Sequence, residues 1–406
     1  MQRVVLAVLL AVFAPSTAGA GMQTPTRIER TSTGLNLPFS GSVKAGGLIY
    51  VSGTLATDAN ERIVAGDIKA QTKQTLENIK AELARHGTTL DRCAAVMVYL
   101  KRRSDFAAMN EVYATFFPND PPTRTTIVAD LLRLDANAPE ALVEISAIAL
   151  PPGAPREVVL PAGWTRSPNP YSYAIRSGDL LFLSGLVPRN ARDGATVEGG
   201  IGPQTTFVLQ QASELLAAAG MSHADVVSSR VFVTDAGAFQ DMNAAYRPFF
   251  TGDKPARATV VTDLMNPAFK VEITMLAVKG ARQVFTTPQA DGSPGRPSQN
   301  YSSAIRVGHR LFLAGVTGES DATRGDVGAQ TRAALAEIDR ALKHAGFSRA
   351  EVVDGVVYLT DLSGYRAMNE AWREMFGPDL PARATVRTDL VVPDGLVEIM
   401  VVAVKP

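Results

Sequence analysis

The sequence predicts an α+β protein in which one β-β-α-β-α-β-β unit of about a hundred residues occurs three times in tandem. Three observations lead there. The same string of local signals recurs three times in the same order, the arginines of the penultimate strands (Arg124, Arg257 and Arg383) recur at comparable spacing, and Pro- and Gly-rich stretches separate the copies. The 406 residues, 46% hydrophobic and 20% charged, supply ordinary globular material for several compact domains.

The chain opens with one basic residue, Arg3, an apolar run from Val4 to Phe13, then Pro15 and the small-residue ending Ala18-Gly19-Ala20. This order reads as a signal peptide over 1–20, cleaved after Ala20, because the apolar run falls short of the about 20 residues that span a bilayer. The mature protein is therefore expected in the periplasm or secreted, with no membrane attachment after cleavage.

The units are expected at 36–150, 167–280 and 298–406, with linkers at 151–166 and 281–297. Each begins with an apolar, β-rich hairpin strand ending at glycine: GGLIYVSGTL from Gly46, GDLLFLSGLV from Gly178 and GHRLFLAGVT from Gly308. A helix follows, from Ala70, Gln204 and Ala329, with apolar residues recurring at three and four. It ends at Gly87, Gly220 and Gly346, which suit a left-handed helix terminus. A third strand (AAVMVYL, VVSSRVFVTD, VVDGVVYLTD) leads to a second helix carrying Met-Asn, whose aromatic residues read most simply as core. Two strands close each unit, PTRTTIVAD with LVEISAIAL, PARATVVTD with VEITMLAV, and PARATVRTD with LVEIMVVAV. A sheet with helices on one side leaves its other face bare. Three copies can bury those faces against one another, although linkers of this length also permit three independent beads.

Lys plus Arg and Asp plus Glu each number 40, so no net field draws the chain to nucleic acid or to an acidic membrane. The single cysteine, Cys93, lies in an apolar run and reads as core. His86, His223, His309 and His344 are scattered without partners at ligand spacing, so neither a metal site nor a His-based triad is expected, and no cofactor is. The conspicuous chemistry is an Arg and a Glu in otherwise apolar strands: Arg124 with Glu144, Arg257 with Glu272, Arg383 with Glu398. Such charges are costly unless they meet each other, a ligand or water. One reading is a cross-strand ion pair that fixes register. The other is a guanidinium that holds a substrate carboxylate while the Glu handles a proton or orients water.

The Ser-Gly hairpin, the Met-Asn helix, the P-x-R-x-T strand and the V-E-I strand together resemble the reactive intermediate deaminases, RidA or YjgF, and the resemblance covers three successive units. It implies chorismate-mutase-like units, a pseudo-trimer within one chain with internal three-fold pseudo-symmetry, and a site at each interface that hydrolyses enamines and imines of amino acids to 2-keto acid and ammonia. The chain is then expected to be monomeric, with a small imino- or keto-acid carboxylate as its partner. Position by position, the resemblance implies carboxylate binding by Arg124, Arg257 and Arg383 and water activation by Glu144, Glu272 and Glu398. It assigns Asn110, Asn243 and Asn369 to the site, with Tyr171 and Tyr301, where the first unit has Phe39, and Ser52 and Ser184, where the third has Ala314. The family's frequent cysteine after the arginine is Thr126, Thr259 and Thr385. Whether Phe39 and Ala314 alter one site or two depends on how the units pack. The alternatives are a carboxylate-binding module without turnover, an assembly role in which Arg and Glu bond to each other with no pocket between units, and RNA cleavage, against which neutral charge and export count.

Overall fold

In the computed structural model the described residues are 27–33, 37–132 and 138–406. The signal-peptide expectation for 1–20 lies outside them. Among the described residues no helix is long and apolar enough to cross a membrane.

Each unit is a mixed sheet with two helices on one face. In the first unit the strand order is Glu29–Arg30, Ser42–Ala45, Leu48–Leu55, Val143–Ala149, Cys93–Leu100 and Thr123–Val128. The second unit runs Glu157–Val159, Ala174–Ser177, Leu180–Leu186, Val271–Val278, Val226–Val233 and Ala256–Val261. The third repeats the pattern with Arg282–Phe285, Ala304–Val307, Arg310–Leu313, Val397–Val404, Val352–Leu359 and Ala382–Arg387. Among the described residues, a parallel strand pairing in each of these sheets joins the strand after the first helix to the Arg strand, across the second helix. The stretches read as linkers are not plain coil. Both 151–166 and 281–297 carry a short strand that pairs antiparallel with the next unit's hairpin. Edge pairing supplies the order that their Pro and Gly content hides.

The first helices are α1 (Ile68–Ala84), α3 (Ile201–Ala218) and α5 (Val327–His344), and the second helices are α2 (Phe106–Phe116), α4 (Phe239–Tyr246) and α6 (Tyr365–Phe376). Asp67 and Asp326 cap α1 and α5 by accepting from the amides of Ala70 and Ala329. Gly87, Gly220 and Gly346 all have positive φ (68°, 67° and 77°), as the helix ends require.

Helix-to-sheet packing gives each unit its own core. The opposite sheet faces meet along the pseudo-three-fold axis in two shared layers. One layer joins Tyr50, Phe182 and Phe312; the other joins Tyr99, Phe232 and Tyr358. Of the two arrangements the linkers permit, the chain takes the packed one, and backbone pairing stitches the units. Asp389–Leu390 of the third unit pairs with Ala256–Val261 of the second, and Asp130 bridges to Arg387. Cys93 is fully buried, and burial pushes its thiol up to about 12, as suits a small core residue.

A buried glutamine sets the last strand of each unit. Gln71, Gln204 and Gln330 sit near the start of the first helix. Their amide nitrogens donate to the carbonyls of Glu140, Ala268 and Asp394, and their oxygens accept from the amides of Leu142, Lys270 and Leu396. Each accepted amide lies two residues before the site glutamate, so this bracket fixes where that carboxyl enters the sheet.

Candidate active sites between the units

The strand order rules out an Arg–Glu pair within one unit. Glu144 pairs in register with Tyr99, and Arg124 with Val96, so the strand Cys93–Leu100 lies between them. The partners come from different units instead. Arg124 faces Glu272, Arg257 faces Glu398 and Arg383 faces Glu144, which closes a ring of three seams here called the 1–2, 2–3 and 3–1 sites. In each case the two charges interact through space, with no hydrogen bond between them. Two seams hold open cavities. The 1–2 cavity, about 230 Å³, is lined by Phe106, Arg124, Tyr171, Arg189 and Glu272, and the 3–1 cavity, about 300 Å³, by Phe39, Glu144, Tyr365 and Arg383. An assembly role with bonded pairs and no pocket does not match these two seams.

The arginines are 4%, 4% and 1% exposed (Arg124, Arg257, Arg383), and burial lowers the pKa of each guanidinium, that of Arg383 to about 10. They remain cations at neutral pH. Each lies over the aromatic ring found seven residues into the second helix: Tyr113 at 4.8 Å, Tyr246 at 4.8 Å and Trp372 at 4.9 Å from the ring centroid. A cation on a ring is worth about 0.5–2 kcal/mol when desolvated. These aromatics, expected as plain core, are also the floor of the sites. Their recurrence at one helical position, together with the ring at the helix start (Phe106, Phe239, Tyr365), was the available signal.

The asparagines divide. Asn243 Oδ1 accepts from Arg257 and Asn369 Oδ1 from Arg383, both at 2.7 Å, so these two hold the guanidinium. Asn110 does not; its amide donates to Asn169 at 3.3 Å. Even so, Arg124 Nη1, Arg257 Nη1 and Arg383 Nε are buried without a hydrogen-bond partner among the described residues. A buried N–H left unpaired costs about 1–3 kcal/mol, so each site is short of an acceptor that a ligand carboxylate or water supplies.

The serine hydroxyls, expected at substrate, are engaged in the seam. Ser52 donates to the Ser40 carbonyl at 2.6 Å and accepts from the Arg383 amide at 2.8 Å; Ser184 donates to the Ser172 carbonyl at 2.7 Å and accepts from the Arg124 amide at 2.9 Å. They fix the arginine strand of one unit to the hairpin of the next. Ala314 removes that bond from the 2–3 seam, whereas Phe39 belongs to the 3–1 seam, so the two departures fall in different sites. Only the 1–2 site, with Arg124, Tyr171, Ser184 and Glu272, carries the full expected set apart from the turned Asn110. Phe39 keeps its ring 5.1 Å from the Arg383 guanidinium. A hydroxyl is supplied instead by Tyr365, where the other units have Phe106 and Phe239, which hydrogen-bonds to Arg383.

Each glutamate lies against the glycine of its own hairpin. A Cβ built on Gly53, Gly185 or Gly315 would come within 1.9 Å of the Oε1 of Glu144, Glu272 or Glu398. Across the seam, the amides of Thr126 and Thr259 donate to Glu272 and Glu398 at 3.3 Å, and that of Thr385 to Glu144. The threonines thus serve through the backbone. Burial pushes all three carboxyls up to about 8, outweighing the amide and the arginine, which pull them down. A buried cation short of an acceptor, beside a carboxyl that titrates near neutrality, can anchor an anion and move a proton next to it.

Fold and site together define a protein whose sites are built across the seams between repeated units, and the comparisons place those units in one family. The family model described as Endoribonuclease L-PSP matches residues 32–151, 165–279 and 293–405. The chain belongs to this family, that of the RidA and YjgF proteins, and carries three tandem units of it. A RutC family protein of Pyrococcus horikoshii is 44% identical over 113 residues, covering 28% of this chain and 86% of its own. Another, from Saccharolobus solfataricus, is 42% identical over 113 residues, with 28% and 86% covered. A solved member of the YjgF/YER057c/UK114 family from Mycobacterium tuberculosis is 35% identical, with a TM-score of 0.27, covering 30% of this chain and 99% of its own.

Proposed function

We propose that the chain hydrolyses 2-imino acids, and enamines after tautomerisation, to 2-keto acids and ammonia at its inter-unit sites. The observation that carries this is the pairing, across one seam, of a buried arginine lacking an acceptor with a buried carboxyl raised to about 8. The substrate carboxylate takes the unsatisfied guanidinium N–H, which places the adjacent C=N carbon beside the glutamate. In its ionised form the glutamate accepts a proton from water as the oxygen adds to carbon. With the imine in its protonated form, the neutral acid so formed returns that proton to the carbinolamine nitrogen; as the C–N bond breaks, the carbinolamine hydroxyl passes its own proton to the glutamate, and the departing ammonia carries it away as ammonium, leaving the keto acid. A group with a pKa near 8 populates both forms at neutral pH, as such a cycle needs.

A second reading, binding of a small carboxylate or keto acid without turnover, is favoured by the departures at Phe39 and Ala314. Release of ammonia and keto acid from imino acids generated in situ by an amino acid oxidase separates the two. The deaminase reading expects an acceleration that is lost in the Arg124→Ala, Arg257→Ala, Arg383→Ala triple variant. A binder raises the melting temperature with keto acid and releases no ammonia. In either case export to the periplasm or outside the cell is part of the proposal.

A further inference from the structure

The three sites share their arginine and glutamate but differ in charge at one wall position. Four residues after the hairpin glycine of each site stands Thr57 in the 3–1 site, Arg189 in the 1–2 site and Glu319 in the 2–3 site. Thr57 and Arg189 line their cavities. Glu319 lies close enough to Tyr301 and Glu398 to interact electrostatically with both. The first helix repeats the trend seven residues after its buried glutamine, with Asn78, Gln211 and Glu337. Asn78 and Gln211 are spent on hairpin carbonyls, Asn78 donating to Leu55 and Thr57, and Gln211 to Val187. Glu337 instead adds a second carboxyl beside Glu319.

Arg189 is held ready for a ligand. Its backbone is fixed by a bridge to Thr196, and its Nε donates to the Gly194 carbonyl at 3.1 Å, while it forms no ion pair among the described residues. The 1–2 cavity therefore has two cationic walls: Arg124, buried and short of an acceptor, and Arg189, whose terminal nitrogens have no acidic partner among the described residues. A single carboxylate satisfies one of them. The geometry points to a substrate with a second anionic group: the 1–2 site takes dicarboxylic imino or keto acids, with Arg189 on the distal carboxylate. By the same position, the 2–3 site turns acidic side chains away, while the 3–1 site lacks a second cation at this wall and its cavity is lined instead by Glu61, Glu82 and Arg85. This rests on the reading of the arginines as carboxylate anchors.

Calorimetry on the full chain, with 2-oxoglutarate as the dicarboxylate probe and 2-oxobutanoate as the monocarboxylate probe, tests the assignment. Arg189→Gln is expected to weaken 2-oxoglutarate about tenfold or more, the scale of one charge-assisted hydrogen bond, and to leave 2-oxobutanoate unchanged. Arg189→Lys keeps the charge and is expected to recover most of the loss. Unchanged 2-oxoglutarate affinity in Arg189→Gln, with binding still lost in Arg124→Ala, overturns the charge assignment and leaves the anchor standing. If neither probe binds, or if Arg124→Ala alters neither, the anchor reading falls and this inference with it.

Discussion

Replacing Glu144, Glu272 and Glu398 together with glutamine is expected to slow imine hydrolysis by about a hundred- to ten-thousand-fold, the usual contribution of a positioned general acid–base. The same variant changes how stability depends on pH. Each carboxyl holds its proton more tightly in the folded protein, at about 8, than at its ordinary value of 4.5. Between those values the native state binds more protons than the unfolded one, so stability falls as pH rises. The carboxyls' contribution is complete below the ordinary value and lost as pH passes through about 8. Melting temperatures followed over that range are expected to decline in the parent chain more steeply than in the glutamine variant, which has no proton to lose at these positions. Parallel slopes would mean that the three carboxyls are ionised in the folded protein across the whole range.

The second large effect comes from a methyl group. Gly185→Ala places a Cβ 1.9 Å from Glu272 Oε1, and its nearest clashes are all with atoms of that one flexible side chain. The backbone at Gly185 is not in the left-handed region, so alanine fits the local fold and the carboxyl gives way. With the other two sites disabled by Arg257→Ala and Arg383→Ala, adding Gly185→Ala is expected to cut turnover about a hundredfold or more, with little change in melting temperature. A loss of stability matching the loss of turnover would instead show that the glycine serves packing. Gly53 is a less clean choice, because its Cβ would also approach the Ala384 backbone of the third unit at 3.1 Å.

The unit and its threefold recurrence were legible because each copy repeats local devices: the helix-ending Gly87, Gly220 and Gly346, the hairpin glycines, and the Arg and Glu set in apolar strands. Those charges marked the site on physical grounds, since a strand interior tolerates them only with a partner. Their pairing was not legible. Whether Arg124 meets Glu144 or Glu272 is decided by strand order and by packing across the axis, which no local pattern encodes. For the same reason Phe39 and Ala314 could be assigned to separate seams only in three dimensions. Glu157–Val159 and Arg282–Phe285 carry β-forming valines and Phe285, but the Pro and Gly around them read as linker, and only the hairpin edge they pair with reveals them as strands. The brackets of Gln71, Gln204 and Gln330 and the rings of Tyr113, Tyr246 and Trp372 recurred in plain view. A buried amide and a buried ring are ordinary core features, however, until the group they hold is known. Tyr365 and Phe39 show the same limit, since exchanging hydroxyl and hydrogen between two rings around one guanidinium looks in sequence like two unrelated substitutions.

The claim that each site takes its arginine from one unit and its glutamate from the next is tested most directly by turnover of paired variants. Arg124→Ala and Glu272→Ala disable the same site, so the double variant is expected to retain the turnover of either single variant. Arg124→Ala with Glu144→Ala disables two sites and is expected to lose the sum of the two single losses. The reverse pattern, with Arg124→Ala and Glu144→Ala behaving as one lesion, or a parent chain with no turnover to lose, would contradict the account.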